Sequence, residues 1–287
     1  MKRCLACGAR FGDPGWSCPE CGWSPPSPGG LPAFAPELAA SGGFEAAFFA
    51  ALAEAEPGHF WFEARNRLIA WALRAHFPGA RSFLEVGCGT GFVLGGLRRA
   101  LPGLALSGSE IFPEGLEFAR RRAPDAELFQ MDARRIPFDA EFDAAGAFDV
   151  LEHVDEDEEV LAELRRAVRP GGGIVLTVPQ HRWLWTALDD IAHHRRRYTR
   201  GELVAKVRRA GFTVERVTSF VSALLPLMVL ARLGKRRPAA EVDPMAELRI
   251  HPVANRALMG VLDAERALIA RGVSFPAGGS LLLVARR

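Results

Sequence analysis

Lysine, asparagine and glutamine are nearly missing from this chain of 287 residues. Lys occurs only at Lys2, Lys206 and Lys235, so arginine carries almost all the positive charge, and the amides are Asn66, Asn255, Gln130 and Gln180. Scarce amides fit a heat-adapted protein, and fit GC-rich coding bias equally well. An excess of charge is also lacking. Lys and Arg number 36 against 34 Asp and Glu, a net charge of +2, which gives no bulk electrostatic reason to bind nucleic acid. No long hydrophobic run is present. The longest, Val221 to Ala231, includes Ser222 and Pro226 and is far short of the ~20 residues of a membrane-spanning helix. The opening residues Met1-Lys2-Arg3-Cys4-Leu5-Ala6-Cys7 carry no apolar stretch of the secretory kind. A cytoplasmic location is therefore expected. Apolar residues are plentiful at 49%, enough for a real core, and the length suits one large domain plus a small one.

Four of the five cysteines form the pattern Cys4-x-x-Cys7, ten residues, Cys18-x-x-Cys21, with Gly8 and Gly22 after each pair. In a reducing compartment such pairs read as metal ligands rather than disulfides. Tight turns at the glycines let backbone amides face thiolate sulfurs, and four thiolates suit a closed, structural Zn²⁺ site. Residues 1–24 are too few to build a core, so metal would supply their folding free energy. Residues 25–43, with Pro25, Pro26, Pro28, Pro32 and Pro36, read as a linker.

Residues 44–287 form the larger unit. From Phe44 to Phe77 the pattern is helical, with aromatics dense around His59-Phe60-Trp61-Phe62. Strands are expected at 82–86, 105–109, 126–130, 142–148, 173–178, 212–220 and 280–285. Helices are expected between most of them, at 91–100, 113–122, 157–168 and 200–210. Such alternation predicts an α/β fold with a mostly parallel sheet and helices on both faces. Residues 221–279 read as an insertion before the last strand.

The central motif is Phe83-Leu84-Glu85-Val86-Gly87-Cys88-Gly89-Thr90-Gly91. A short apolar strand runs into alternating glycines and then an apolar helix. The glycines permit a tight turn and close backbone approach to a ligand, and the helix start offers unpaired amides. A dinucleotide fingerprint would need a small residue where Phe92 or Leu94 stands, so that reading is disfavoured.

On these residues the chain resembles class I S-adenosylmethionine (SAM)-dependent methyltransferases over roughly 60–220. The resemblance rests on Glu85, Gly87, Gly89 and Gly91; on Glu110 in Ser107-Gly108-Ser109-Glu110-Ile111; on Asp132 in Gln130-Met131-Asp132-Ala133; on the run from Phe142 through Phe148 and Asp149 to His153; and on Arg169-Pro170-Gly171-Gly172-Gly173. It implies a Rossmann-like seven-stranded methyltransferase sheet. It implies SAM as cofactor, with Glu110 on the ribose hydroxyls and Asp132 near the adenine amine. Cys88, Ile111, Ala133, Phe148 and Asp149 complete the cofactor set, and Arg65 is a candidate for the carboxylate of SAM.

Three residues are catalytic candidates. His153 follows the fourth strand and is placed to act as a base toward a hydroxyl acceptor. His194 and Tyr198 lie in a His-x-Arg-Arg-Tyr run that resembles a bacterial subgroup of these enzymes, where Arg196 and Arg197 could grip an anion. The apolar run beginning at Phe220, followed by Lys235, Arg236 and Arg237, reads as a buried lid or as a peripheral membrane contact through 220–237 at the inner face. The expected function is O- or N-methyl transfer to a small-molecule or lipid-linked metabolite. The alternatives are an RNA methyltransferase, which the near-neutral charge disfavours, and a non-catalytic SAM-binding zinc-ribbon interaction protein.

Overall fold

Alternating strands and helices bury their apolar faces most completely as a twisted sheet with helices on both sides. The computed structural model describes residues 1–39, 46–232, 243 and 245–287 and shows that arrangement. A small ladder of β1 (Lys2–Arg3) and β2 (Arg10–Phe11) opens the chain. Helices α1 (Ala46–Ala55) and α2 (Phe60–His76) follow. Then come β3 (Ser82–Val86), α3 (Phe92–Ala100), β4 (Ala105–Glu110), α4 (Pro113–Arg122), β5 (Glu127–Gln130) and β6 (Phe142–Phe148). After these run α5 (Asp157–Ala167), β7 (Val168–Pro179), α6 (Ala187–Ile191), α7 (Arg200–Arg209) and β8 (Thr213–Phe220). The chain finishes with α8 (Leu225–Arg232), α9 (Pro252–Ala270) and β9 (Ser280–Arg286).

Local chemistry explains the boundaries. Thr199 and Glu202 form a reciprocal capping box at the start of α7, satisfying two amides that the first turn leaves free. Pro113 opens α4 and Arg120, Arg121 and Arg122 close it, both in keeping with helix-end preferences. The seven-stranded sheet has the order β5-β4-β3-β6-β7-β9-β8. Its first five strands are parallel, while β9 runs antiparallel to both β7 and β8. The strand order reverses between β3 and β6, the place where folds of this kind form a ligand crevice beyond the carboxyl ends of the strands.

Side chains alternate across the sheet. Leu84 joins the core under α5 and α7 with Leu161, Leu164 and Leu203, while its neighbour Phe83 joins the opposite layer with Ile69, Leu73, Leu94 and Leu97. Each fully buried side chain of this size contributes roughly 1.5–3 kcal/mol. Helix α9 packs along α2. Asn255 bridges the pair, accepting from the Phe60 amide and donating to the Gly58 carbonyl, both at 2.8 Å.

The proline-rich stretch does not hang free. Between 32 and 35 it pairs with the outer edge of β5: Phe34 N donates to Gln130 O at 2.8 Å, and Gln130 N donates to Pro32 O at 3.0 Å. The Gln130 side chain bonds both backbone groups of Ala35. An exposed strand edge is thereby covered. The cysteine unit docks at the same place, its Trp16 ring edge-on to Phe34, Phe129 and Phe138 at 4.6, 5.6 and 5.5 Å. The apolar run after Phe220 is only half inside. Val221 is buried, Leu224 and Met228 pack on the core, and Leu227 and Leu230 stand exposed on α8. Lys235, Arg236 and Arg237 lie outside the described residues. Among the described residues no helix is long and apolar enough to cross a membrane.

Strands β7 and β9 meet closely at Gly173, where an added Cβ would come 2.1 Å from the Ala285 carbonyl and 2.8 Å from the Phe77 ring. Gly173→Ala is expected to cost about 1–3 kcal/mol in urea unfolding, because overpacking forces the strands apart. Gly79, with open space around it, serves as the control, and Gly79→Ala should stay within about 0.5 kcal/mol of the parent. Equal effects would contradict this account of the β7–β9 contact.

Candidate functional site

The turn from β3 to α3 sits at the strand-order reversal. Gly87 lies against Val150, and Gly91 is buried where an added Cβ would come 2.5 Å from the Ala119 backbone, so α3 and α4 pack backbone to backbone there. Gly89 differs: its φ is +51°, and nothing lies within 4 Å of where a Cβ would be. The turn thus presents bare backbone to open space at one point, the feature a ligand cradle needs.

Glu110 holds this turn in place. One carboxylate oxygen accepts from Gly89 N at 2.9 Å, and the other accepts from Ile111 N at 2.8 Å and Phe112 N at 3.3 Å. Burial raises its pKa, and the three amides temper the rise. The Cys88 amide donates to the Ser109 carbonyl at 2.8 Å. The Cys88 side chain is buried, and burial followed by the charges of Glu85 and Glu110 keeps it a thiol. Thr90 is fixed from the other side: its hydroxyl bonds the Glu56 carboxylate at 2.7 and 2.8 Å, and Arg122 joins both.

The crevice is rich in buried acids. Glu85 is buried with one oxygen unpartnered among the described residues. Its pKa is raised first by burial, with Arg65 opposing and Glu110 and Glu56 adding to it. Arg65 pairs with Asp149, which adopts a left-handed backbone, φ +59°, just past β6. Asp132 is gripped by the side chain of Arg134 at 2.8–3.1 Å. Ile111 and Ala133 are half-buried nearby in sequence at the ends of β4 and β5, and Phe148 is buried, stacked on Phe83 at 6.4 Å.

His153 and His194 come together with ring centroids 4.7 Å apart. Burial, then the neighbouring His194, pushes the His153 pKa down to about 4. Tyr198 sits in the core at 2% exposure, its single hydroxyl proton directed at Asp157 at 2.6 Å, with the Leu151 carbonyl a second, more distant acceptor at 3.1 Å. Arg197 grips Asp189 at 2.8 and 3.0 Å, and Arg196 pairs with Asp157 at 3.0 Å. The arginine run is therefore an internal ion-pair cluster rather than an open anion pocket, because each guanidinium already has its carboxylate.

The four cysteines of the N-terminal unit converge. Cys4 and Cys21 sulfurs lie 3.7 Å apart, and those of Cys7 and Cys18 lie 3.6 Å apart. Amides of Cys7 and Ala6 face the Cys4 sulfur, that of Ala9 faces Cys7, and that of Trp23 faces Cys21.

Four site residues went unread in the sequence: Glu56, Asp157, Asp189 and Glu152. The side-chain partners of Glu56 lie 34 and 66 positions away and Arg196 lies 39 from Asp157, whereas Asp189 bonds Thr186, His194 and Arg197 within eight positions, so only Asp189 carried a local signal.

A family model described as a methyltransferase domain matches residues 84–176. The chain is 37% identical over 139 residues to a 37.1 kDa protein of transposon Tn4556 from Streptomyces fradiae, covering 47% of this chain and 39% of that one. It is 28% identical to malonyl-[acyl-carrier protein] O-methyltransferase of Enterobacter lignolyticus (64% of this chain, 78% of the relative). It is 35% identical to demethylmenaquinone methyltransferase of Deinococcus radiodurans (39% and 47%). The chain spans 39% and 61% of the length of two of the curated relatives it matches. Two solved structures share the fold. Phosphoethanolamine N-methyltransferase 2 of Haemonchus contortus bound to SAM has a TM-score of 0.55 at 17% identity, covering 85% of this chain and 57% of that one. The [4+2]-cyclase SpnF has a TM-score of 0.52 at 21% identity (79% and 83%). Strand order, glycine turn and domain match agree: the chain carries a methyltransferase domain at 84–176, set in a seven-stranded sheet of the fold that SAM-dependent methyltransferases share.

Proposed function

We propose that this chain transfers a methyl group from SAM to an oxygen or nitrogen of a small or lipid-linked metabolite. The carrying observation is the Glu110 carboxylate held against three amides beside the open face of Gly89. SAM supplies a methyl group activated on a positively charged sulfonium. Glu110 would accept both ribose hydroxyls, since a carboxylate has lone pairs beyond those its amides use. Asp132 would face the adenine amine, with Ile111, Ala133 and Phe148 flanking. Gly87, Cys88, Gly89 and Gly91 would supply backbone, and Glu85, Arg65 and Asp149 would frame the amino-acid end. Glu110, its carboxylate supported by three amides at the rim of the crevice, favours a cationic ligand electrostatically. His153 and His194 would face the acceptor, with His153 uncharged at neutral pH. Tyr198 would act as a positioning residue, tying the turn after β6 to α5 through Leu151 and Asp157.

The substrate class is supported by relatives named for a carrier-bound malonyl group and for a quinone precursor. The exposed Leu227 and Leu230 of α8 support an apolar acceptor, presented at a membrane surface or by itself. The cyclase neighbour gives one specific second reading, a fold kept for SAM binding without methyl transfer.

Incubation of the protein with methyl-labelled SAM and a bacterial lysate, followed by fractionation, tests the reading. Label in the organic or small-molecule fraction is expected. Label in RNA, or none in any fraction while SAM binds, would contradict it. Glu110→Gln should weaken SAM binding about 10–100-fold by calorimetry, the loss expected for charge-assisted hydrogen bonds of about 1.5–3 kcal/mol. Glu127→Gln, on the exposed end of β5, should leave binding unchanged.

We infer that the four cysteines hold a structural zinc ion. A tetrahedral ion with bonds of about 2.3 Å keeps its sulfurs about 3.8 Å apart, close to the 3.6 and 3.7 Å found. The double variant Cys7→Ser, Cys21→Ser should lose one equivalent of zinc relative to the parent and melt at a lower temperature. The small buried cluster of Cys4, Phe11 and Cys18 cannot fold the unit without metal. Unchanged zinc content would rule the assignment out.

A further inference from the structure

We propose that Glu152, His153 and His194 bind a divalent first-row transition-metal cation beside the cofactor crevice, at a site separate from the cysteine cluster. One ligand atom from each of the three lies within 4.8 Å of the others. The backbone holds them there. After the left-handed Asp149, a 3-10 turn over Leu151–His153 presents Glu152 and His153 in succession. The Arg195 amide donates to the Glu152 carbonyl at 2.7 Å, and the His194 amide to the Asp189 carbonyl at 2.8 Å. The first bond ties the stretch after α6 to the turn, and the second folds that stretch back on α6.

Glu152 is the independent sign of a ligand. It is 0% exposed, and neither carboxylate oxygen has a hydrogen-bond partner among the described residues. A buried carboxylate with no partner is costly whether ionised or protonated. Asp149 adds a like charge, the residue's own amide faces the carboxylate without forming a hydrogen bond, and Arg65 and Arg197 act on it only through their charge. A cation bound to Glu152 would satisfy the oxygens directly.

The histidines are prepared in the manner of metal ligands. His194 bonds the Asp189 carboxylate through Nδ1 at 2.8 Å, which leaves its Nε2 lone pair available. Arg197 grips the same Asp189 carboxylate at 2.8 and 3.0 Å. Asp189 is further locked by the Thr186 amide at 2.7 Å. A carboxylate behind a ligating histidine fixes its tautomer and ring plane. His153 is oriented by the Ala192 carbonyl, the other common partner in that role. Two imidazoles and one carboxylate suit Zn²⁺, Fe²⁺, Co²⁺ or Mn²⁺.

Three protein ligands leave room for a further one, at the end of β6 where the acceptor arrives. A hydroxyl acceptor bound there would be acidified by the cation and would release its proton to solvent, and its oxygen would then take the methyl group as the carbon–sulfur bond of SAM breaks, leaving neutral S-adenosylhomocysteine. That last role rests on the methyltransferase reading, whereas metal binding itself does not.

The test uses the full chain loaded with a single equivalent of zinc, which four thiolates take ahead of a two-histidine, one-carboxylate site, and shown by metal analysis to hold one zinc per chain before cobalt is added. Co²⁺ is then titrated in, without SAM, and followed by its d–d absorption and by equilibrium dialysis. The parent is expected to take one Co²⁺ per chain, without thiolate charge-transfer bands. Glu152→Gln and His194→Gln should each weaken that binding at least ~10-fold, and Asp189→Asn should weaken it through His194. SAM affinity and melting temperature are measured on each variant. No Co²⁺ bound by the zinc-filled parent would overturn the proposal, a result that needs no variant to fold. Equal Co²⁺ affinity in folded variants would overturn it as well. Loss of SAM binding with Co²⁺ binding intact would count against the methyltransferase reading alone.

Discussion

The crevice depends on one buried carboxylate. Glu110 ends β4, yet its oxygens reach across to the turn that follows β3 and take the Gly89 amide. Taking a carboxylate out of water is unfavourable, and here the bonds from Gly89, Ile111 and Phe112 offset much of that cost. The same three bonds hold two strand ends in one geometry. The turn can therefore present bare backbone at Gly89 while Gly91, two residues on, is packed against Ala119. Removing the charge would loosen the turn as well as the contact to any ligand.

A second ring of polar contacts surrounds this centre. Glu56, at the end of the first helical segment, binds Thr90 and Arg122 and so ties that segment to the glycine turn. On the other flank, Asp157 and Asp189 collect Tyr198, Lys206, Arg196 and Arg197. The result is a rigid wall behind the two histidines. Buried ion pairs of this kind add little net stability, because desolvation cancels most of the attraction. Their effect here is to fix where His194 and the turn after β6 stand.

Features set by short-range pattern were legible in the sequence. The seven strands, the helix at 113–122, the helix expected at 200–210 and found at Arg200–Arg209, the glycine turn and the converging cysteines all follow from period, capping and spacing within a few residues. Features set by long-range contacts were not. The composition of the proline-rich stretch points to a linker because it cannot make a core, but the stretch needs none: it borrows the free edge of β5 through Gln130. The arginines at 196 and 197 were read as open to an anion, because nothing local shows that Asp157 and Asp189 fold back onto them. Helix α9 was hidden inside a stretch read as an insertion. It is held by α2 through Asn255, and its Val253, Val261 and Leu268 remain exposed, so its apolar pattern is broad.

The central claim is that SAM occupies the crevice beyond β3 and β4. Amide hydrogen exchange with and without SAM tests it most directly. The account predicts slowed exchange at residues 85–91 and 110–112 on adding SAM, with residues 1–24 unchanged. Unaltered exchange at the glycine turn, or protection confined to another part of the chain, would contradict it.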